Sequence, residues 1–182
     1  MTTKEKIKKT AKILKSGGVV AFPTETVFGI GAALDQPQAI KRIFRIKKRS
    51  KNKPLQVLVA TLAQTKRLGK FSKKAQEFAK KNWPGPFTLV VYKTRKVPKL
   101  VTGGSPKVGI RMPNHKTTLE LIKKCGPIVA TSANRSGEKP ALAVKEVRKK
   151  VPEVDYILSG RVKSGKPSKV VDLTKGIKIL RK

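Results

Sequence analysis

The groups in this sequence that could bind a small polar ligand are concentrated in loops that directly follow apolar runs. Hydroxyl, amide and guanidinium side chains suit a ligand that carries a carboxylate and phosphates. The three loops are FPTETVFGIG (22–31) with Thr24 and Thr26, GIRMPNH (109–115) with Arg111, and ATSANRSG (130–137) with Ser132 and Asn134. Taken singly, each short motif is more typical of a turn than of a site.

A fourth candidate is the basic segment RIKKRSKNKP (45–54), which contains no acidic residue. Alone, it is consistent with a solvated helix end, a nucleic-acid contact or a site for a more specific anion. The whole chain has 44 Lys and Arg against 10 Asp and Glu, a formal net charge of +34. Such a charge attracts polyanions, but a genome-wide lysine bias, or adaptation to salt or heat, accounts for it equally well. Composition therefore leaves the three readings open.

Several classes of protein are excluded by what the sequence lacks. It has no Walker A, GxGxxG, HExxH or CxxC motif, and its single histidine, His115, is expected at a helix cap or on the surface. The acidic residues are scattered, which predicts no protein-built metal site. One cysteine, Cys125, excludes an internal disulfide and indicates an inert thiol in a reducing, cytoplasmic compartment. No window approaches the roughly 20 apolar residues of a membrane span.

Apolar periodicity predicts an α/β domain whose strands position these loops. Strands of an open sheet gather ligands at their ends, so the polar loops are expected to converge there. Helices are predicted at 4–16, 35–47 (with Asp35 as N-cap), 61–69, 72–82 (with Ser72 as N-cap), 116–124 and 143–150. Strands are predicted at 19–22, 55–60, 87–93, 107–113, 127–134, 156–159, 169–173 and 177–180, with loops after Pro23 and at 98–106 and 160–167.

Read in order, six blocks of the chain resemble the YrdC-like domain of the threonylcarbamoyl-AMP synthase family. The resemblance covers residues 17–173 and implies a single domain over 1–182, the short form of the family. It implies an open, twisted, mixed sheet with flanking helices around a basic concave site. The blocks are GGVVAFPTETVFGIGA, AIKRIFRIKKR with KPLQVLVA, WPGPFTLVV, VGIRMPNH, ATSANRSGE and GKPSKVVDL.

The resemblance also implies an activity. The enzyme would be a nucleotidyltransferase that makes threonylcarbamoyl-AMP and pyrophosphate from L-threonine, bicarbonate or CO2, and ATP. Mg2+ would be held mainly by the ATP phosphates, and partner transferases would move the threonylcarbamoyl group onto tRNA. This chemistry depends on positioning and charge stabilisation and needs no protein nucleophile.

Matched by position, the family's site residues fall on eight positions of this chain. Lys47 and Arg49 match a K-x-R pair that would position the phosphates and stabilise their charge, and no residue is expected to act as a nucleophile. The resemblance assigns ATP to Lys47, Arg49, Lys53, Asn134 and Ser168, and L-threonine to Thr26, Arg111 and Ser132.

The chain departs from the family pattern at several of these places. Leu58 stands where many members have a histidine near the threonine, and Leu142 ends PAL in place of the frequent S-P-T. Lys53, Lys107 and Lys169 replace Asn, Thr and Thr near the expected phosphate site. We hypothesise that these ammonium groups replace neutral hydrogen bonds to phosphate oxygens; general lysine enrichment is the competing explanation.

Two other functions fit the same scaffold. The charge and the altered positions also fit a noncatalytic double-stranded RNA-binding or ribosome-assembly factor, with the basic surface contacting RNA directly. The other is a carbamoyl-transfer module like that of hydrogenase-maturation enzymes, but such modules belong to much longer chains.

Overall fold

The computed structural model describes residues 1–181. Helices bury one apolar stripe each; α1, for example, begins with a capping box between Thr2 and Glu5 and buries Ile7 and Leu14. Within the described range the helices are α1 Thr3–Lys15, α2 Pro37–Lys47, α3 Leu62–Leu68, α4 Lys73–Asn82, α5 Lys99–Thr102, α6 Lys116–Cys125 and α7 Val144–Lys150. None of them is long and apolar enough to cross a bilayer.

The strands of residues 1–181 form one mixed sheet in the order β10-β9-β5-β6-β3-β7-β2-β1-β8, with β4 paired to β5. The β3–β6, β5–β9 and β1–β8 pairs are parallel, and the others are antiparallel. The strands are β1 Val20–Pro23, β2 Phe28–Ala33, β3 Gln56–Leu58, β4 Gly69–Lys70, β5 Phe87–Lys93, β6 Lys107–Arg111, β7 Ile128–Ser132, β8 Tyr156–Ile157, β9 Lys169–Asp172 and β10 Lys178–Arg181. The predicted open mixed sheet with flanking helices is confirmed.

Helices cover the two faces of the sheet unequally. On one face, α2, α4 and α7 pack into the larger core. On the other, α1 and α6 cover only the part formed by β1, β2 and neighbouring residues of β3 and β7, including Leu58 and Ile128. Because side chains alternate between faces along a strand, the rest of this second face presents alternate residues of β5, β6 and β9 without a helix above them.

The sequence prediction missed strand β2, which it treated as part of a loop. The strand reads FGIGAA, and glycine and alanine have low β-propensity. The packing requires small residues: a Cβ on Gly31 would lie 2.7 Å from the carbonyl oxygen of Val129, and one on Gly29 would lie 3.2 Å from the Phe22 ring. Because its neighbours approach so closely, this strand is built from small residues and lacks the β-branched residues that would have identified it as a strand.

Two smaller predictions were wrong. Helix α2 begins after Gln36, and no side chain caps it; Pro37 at its first position starts it instead. The segment 98–106, predicted as loop, contains helix α5 and packs Val101 into the core. Ser72 caps α4 as predicted, accepting a hydrogen bond from the Ala75 amide.

Candidate functional site

The uncovered part of the sheet forms the floor of a cavity of about 460 Å3. Alternate residues of neighbouring strands supply the floor, including Gln56 of β3, Thr88 of β5 and Gly109 of β6. The sequence predicted that ligand groups converge at strand ends, but the floor is the sheet face and the loops form only the rim. Five predicted site residues line this cavity: Thr26, Arg49, Arg111, Ser132 and Ser168.

Arg111, the last residue of β6, supplies a buried guanidinium to the cavity lining. Its side chain is fixed on three sides: Nε donates to the Gly85 carbonyl at 3.3 Å, Nη2 donates to Thr26 Oγ1 at 3.0 Å, and Nη2 lies 2.8 Å from Glu25 Oε1. Burial lowers the pKa of Arg111 below its ordinary value, and the Glu25 carboxylate opposes that shift. Nη1 donates no hydrogen bond within residues 1–181, and Arg111 lines the cavity.

A compact turn at 24–27 presents Thr26 to that guanidinium. Thr24 Oγ1 donates to the Val27 carbonyl at 2.6 Å and accepts from the Thr26 and Val27 amides. The two threonine hydroxyls also lie 2.8 Å apart. This network orders the loop, because each hydroxyl is satisfied by the turn or by Arg111.

Lys47 does not line the cavity, but it contacts the main chain of Ser132, which does. It is the last residue of α2, fully buried, and its ammonium donates to the carbonyl oxygens of Ser132 at 2.6 Å and Asn134 at 2.8 Å. Burial, and next the positive charge of Arg49, lower the pKa of Lys47 to about 7. Lys48 follows with left-handed backbone geometry, at φ 49°, and reverses the chain toward Arg49. The predicted contact of Lys47 with phosphate stays a prediction.

Asn134 is also buried away from the cavity lining. Its amide nitrogen donates to the carbonyls of Arg135 at 2.7 Å and Glu138 at 2.9 Å, which folds the loop after β7 back on itself. Ser132, two residues earlier, does line the cavity. The S-x-N pair therefore divides into one cavity residue and one loop-forming residue in this structure.

Arg49 connects the basic segment to the cavity. Its Nη2 donates to the Pro54 carbonyl at 2.9 Å and its Nε to the Lys53 carbonyl at 3.3 Å, and its side chain lines the cavity. Lys53 is exposed and outside the lining, as are Arg45 and Lys48.

Ser168 and Arg181 also line the cavity. The Ser168 hydroxyl lies 2.9 Å from Thr88 Oγ1 and accepts a hydrogen bond from Arg181 Nη2 at 3.1 Å. Burial, and next the charge of Arg111, lower the pKa of Arg181. Sequence reasoning missed Arg181, because one basic residue in a lysine-rich segment gives no signal until β10 pairs with β9 and brings its guanidinium to Ser168.

The departures from the family pattern occupy different surroundings. Lys107 lines the cavity and pairs with Asp172 at 2.8 Å. Lys169 is exposed, with its ammonium 5.7 Å from the centre of the Phe87 ring. Leu58 pairs with Arg111 across β3 and β6, but it is buried in the core under α1 and α6. Leu142 is exposed and lies beside Gly165 on a neighbouring surface concavity. Only Lys107 of the three lysines lines the cavity.

Three remaining features contribute little chemistry. His115 begins α6 without capping it, and its Nε2 lies 3.2 Å from the Arg161 carbonyl, so it holds the loop before β9. Burial raises the pKa of Cys125 to about 12, consistent with the predicted inert thiol. Among residues 1–181 no three His, Cys, Asp or Glu side chains are grouped as metal ligands.

Comparison with known proteins agrees with this geometry. The model of a family described as telomere recombination, Sua5/YciO/YrdC, matches residues 12–182. The chain belongs to the Sua5/YciO/YrdC family. A solved structure of Pyrococcus abyssi Sua5 in complex with L-threonine superposes with a TM-score of 0.92 at 38% identity, covering 96% of this chain and 53% of that one.

Curated Sua5/YciO/YrdC relatives include two threonylcarbamoyl-AMP synthases of different length. The Pyrococcus abyssi protein is 41% identical over 93% of this chain and 51% of its own length. The Chromobacterium violaceum protein is 35% identical over 93% of this chain and 89% of its own length. The chain therefore spans about half of the first relative and nearly all of the second.

Proposed function

We propose that this protein is an L-threonylcarbamoyladenylate synthase, which forms threonylcarbamoyl-AMP and pyrophosphate from L-threonine, bicarbonate or CO2, and ATP. The observation that carries the proposal is Arg111: a buried guanidinium that lines a cavity of about 460 Å3 and whose Nη1 donates no hydrogen bond within residues 1–181. The Pyrococcus abyssi relative, which aligns with this fold, was solved with L-threonine bound. Its curated counterpart and the shorter Chromobacterium violaceum protein are both named threonylcarbamoyl-AMP synthase.

The proposed division of the cavity follows its charges. Arg111 would bind the threonine carboxylate, because a guanidinium matches the planar geometry of a carboxylate. Thr26 and Ser132 would contact the rest of the amino acid from the rim. Arg49 and Arg181 line the cavity as well, and fixed cations would stabilise the negative charge of the ATP phosphates as the bond to pyrophosphate breaks.

Lys47 and Asn134 would serve the nucleotide through the loop after β7. Lys47 holds the carbonyls of Ser132 and Asn134, so its ammonium adds positive charge below that loop. Ser168 would contact the substrates through its hydroxyl, and Lys53 would reach phosphates only from the rim. ATP is thus the proposed ligand of Lys47, Asn134, Ser168 and Lys53.

Mg2+ is part of the proposal as a companion of ATP. Asp172 is the one carboxylate lining the cavity within residues 1–181, and Lys107 and Thr174 already bind it. That donor set fits a cation carried mainly by phosphate oxygens rather than a protein cage. When bound, Mg2+ would neutralise phosphate charge and orient the chain of phosphates.

The test is product formation with each substrate omitted in turn. Purified protein with ATP, Mg2+, L-threonine and bicarbonate should release pyrophosphate and give an AMP-linked threonylcarbamoyl product by mass spectrometry. Omitting threonine or bicarbonate should remove both signals. Pyrophosphate release that ignores threonine would overturn the proposal. No turnover, with tight double-stranded RNA binding that survives moderate salt, would support the RNA-binding factor instead.

The proposed activity also implies partner proteins and a cellular location. Threonylcarbamoyl-transferase proteins acting on tRNA would consume the unstable adenylate, and a cytoplasmic location fits the free thiol of Cys125. Direct contact of the basic surface with RNA is a further expectation from the net charge of +34.

A further inference from the structure

Glu25 is a buried acidic residue to which none of the roles above is assigned. It lies in the FPTETVFG turn between Thr24 and Thr26, and it is 8% exposed. Its Oε1 lies 2.8 Å from Arg111 Nη2. Neither carboxylate oxygen receives a well-oriented hydrogen bond from residues 1–181. A buried carboxylate in that state is costly, because it has lost water and its one charged contact is with Arg111.

Stability does not account for this carboxylate. A buried ion pair gains little over apolar residues of similar size, since the desolvation cost of two charges offsets their attraction. Glu25 meets its cation at a single contact and lacks the further hydrogen bonds that make such pairs favourable. The role of the Glu25 carboxylate must therefore lie in its effect on the Arg111 side chain.

The main chain of Glu25 also contacts the loop before β9. Its carbonyl oxygen accepts hydrogen bonds from the Ser164 amide at 2.9 Å and the Lys163 amide at 3.2 Å. That loop leads directly to Ser168, which lines the cavity. Glu25 thus joins the β1–β2 turn, the end of β6 and the loop before β9.

We propose that Glu25 is a positioning residue that sets the orientation of the Arg111 guanidinium. Glu25 and Thr26 both contact Nη2, and the Gly85 carbonyl accepts from Nε, which leaves Nη1 without a hydrogen bond within residues 1–181. Without the carboxylate, one anchor of Nη2 is lost and the guanidinium can rotate toward other acceptors. The inference rests on the proposed function, since L-threonine is the ligand whose carboxylate Arg111 would bind.

The test measures L-threonine and ATP binding separately by calorimetry, with Glu25→Gln as the main variant. The amide keeps the shape and removes the charge. We expect the Kd for L-threonine to rise about tenfold or more, while the Kd for ATP changes less than about twofold. Glu25→Asp, which keeps the charge on a shorter side chain, should recover part of the affinity. Glu77→Gln, on the exposed face of α4, is the matched control and should change neither Kd.

Each outcome has one meaning. Unchanged or tighter threonine binding by Glu25→Gln would overturn the positioning role, tighter binding indicating that the carboxylate only weakens the charge of Arg111. Equal loss for both ligands would also overturn it, because a structural defect affects the whole cavity. If Glu25→Gln does not fold, the same criteria apply to Glu25→Asp, with melting temperature as the check. Failure of the wild-type protein to bind L-threonine would instead overturn the proposed function.

Discussion

The ammonium nitrogen of Lys47 lies 2.6 Å from the carbonyl oxygen of Ser132, across 85 residues of sequence. The contact joins the end of α2 to the end of β7, and it holds the loop that carries Asn134. A residue predicted to touch phosphate therefore first organises the protein. The charge of the Lys47 ammonium would act on a bound anion across this loop, so the effect depends on whether Lys47 is protonated.

The buried ammonium of Lys47 predicts a pH-dependent stability. Its pKa is about 7 in the folded protein, against an ordinary value of 10.5. Between these values the unfolded chain binds the extra proton, so this group makes the free energy of unfolding rise with pH, by at most about 1.4 kcal/mol per unit. Below pH 7 both states are protonated and the contribution is constant.

Urea denaturation of wild type and Lys47→Met at several pH values between about 6 and 9 checks this. The difference in unfolding free energy between the two proteins should shift toward the wild type as pH rises, because all other groups are shared. A difference independent of pH would mean that Lys47 keeps its proton throughout, held by the two carbonyl oxygens.

Replacing Arg111 should separate threonine binding from ATP binding. We expect Arg111→Ala to abolish threonine-dependent product formation while ATP affinity stays within about threefold of wild type. The variant also strands the buried Glu25, which costs on the order of 3–5 kcal/mol of stability. Arg111→Ala combined with Glu25→Gln should therefore be more stable than the single variant, as judged by melting temperature. Loss of ATP binding would assign this arginine to the nucleotide subsite.

Arg49 and Arg45 provide a matched pair within the basic segment. Arg49 lines the cavity and hydrogen-bonds the Pro54 carbonyl, whereas Arg45 is exposed on α2. Arg49→Met should raise the KM for ATP about tenfold with little change in the KM for L-threonine. Arg45→Met removes the same charge and should leave both within about twofold, since exposed charges are screened by salt. Equal effects would attribute the contribution of Arg49 to overall charge.

The lysines that replace neutral residues should not behave alike. Lys53 and Lys169 are exposed, and the ammonium of Lys169 lies over the Phe87 ring. We therefore expect Lys53→Asn with Lys169→Thr to change ATP affinity less than about threefold at physiological salt. A larger loss would support the hypothesis that their ammonium groups bind phosphate, and an unchanged affinity would remove it.

The sequence predicted the hydroxyls of the site better than its charges. Thr26 and Ser132 follow apolar runs that the sequence shows directly, so their place near the cavity follows from local pattern, whereas Ser168 was predicted only from the family resemblance. Lys47 and Arg181 depend on contacts between distant elements, which short-range periodicity does not encode. The contact of Glu25 with Arg111 was not predicted, although Glu25 lies in the same motif as Thr26. Nothing in the sequence indicates which of two neighbouring polar side chains will be buried against an arginine.

The contact between Lys107 and Asp172 gives the last prediction. Both residues line the cavity, and their charged atoms lie 2.8 Å apart. Although burial opposes it, hydrogen bonds from Lys107 and Thr174 hold the pKa of Asp172 below its ordinary value, so the carboxylate is ionised at neutral pH. Lys107 therefore neutralises an anion in the wall of a site that would bind phosphates.

Lys107→Thr should weaken ATP binding by about tenfold, because Asp172 would then repel the phosphates without compensation. Adding Asp172→Asn should restore most of the lost affinity, since positions 107 and 172 together again carry no net charge. ATP titrations of the wild type, both single variants and the double variant complete the cycle. If the double variant binds ATP as poorly as Lys107→Thr, the ammonium contacts phosphate directly, and the lysine substitution would be a gain of a ligand rather than the neutralisation of a neighbour.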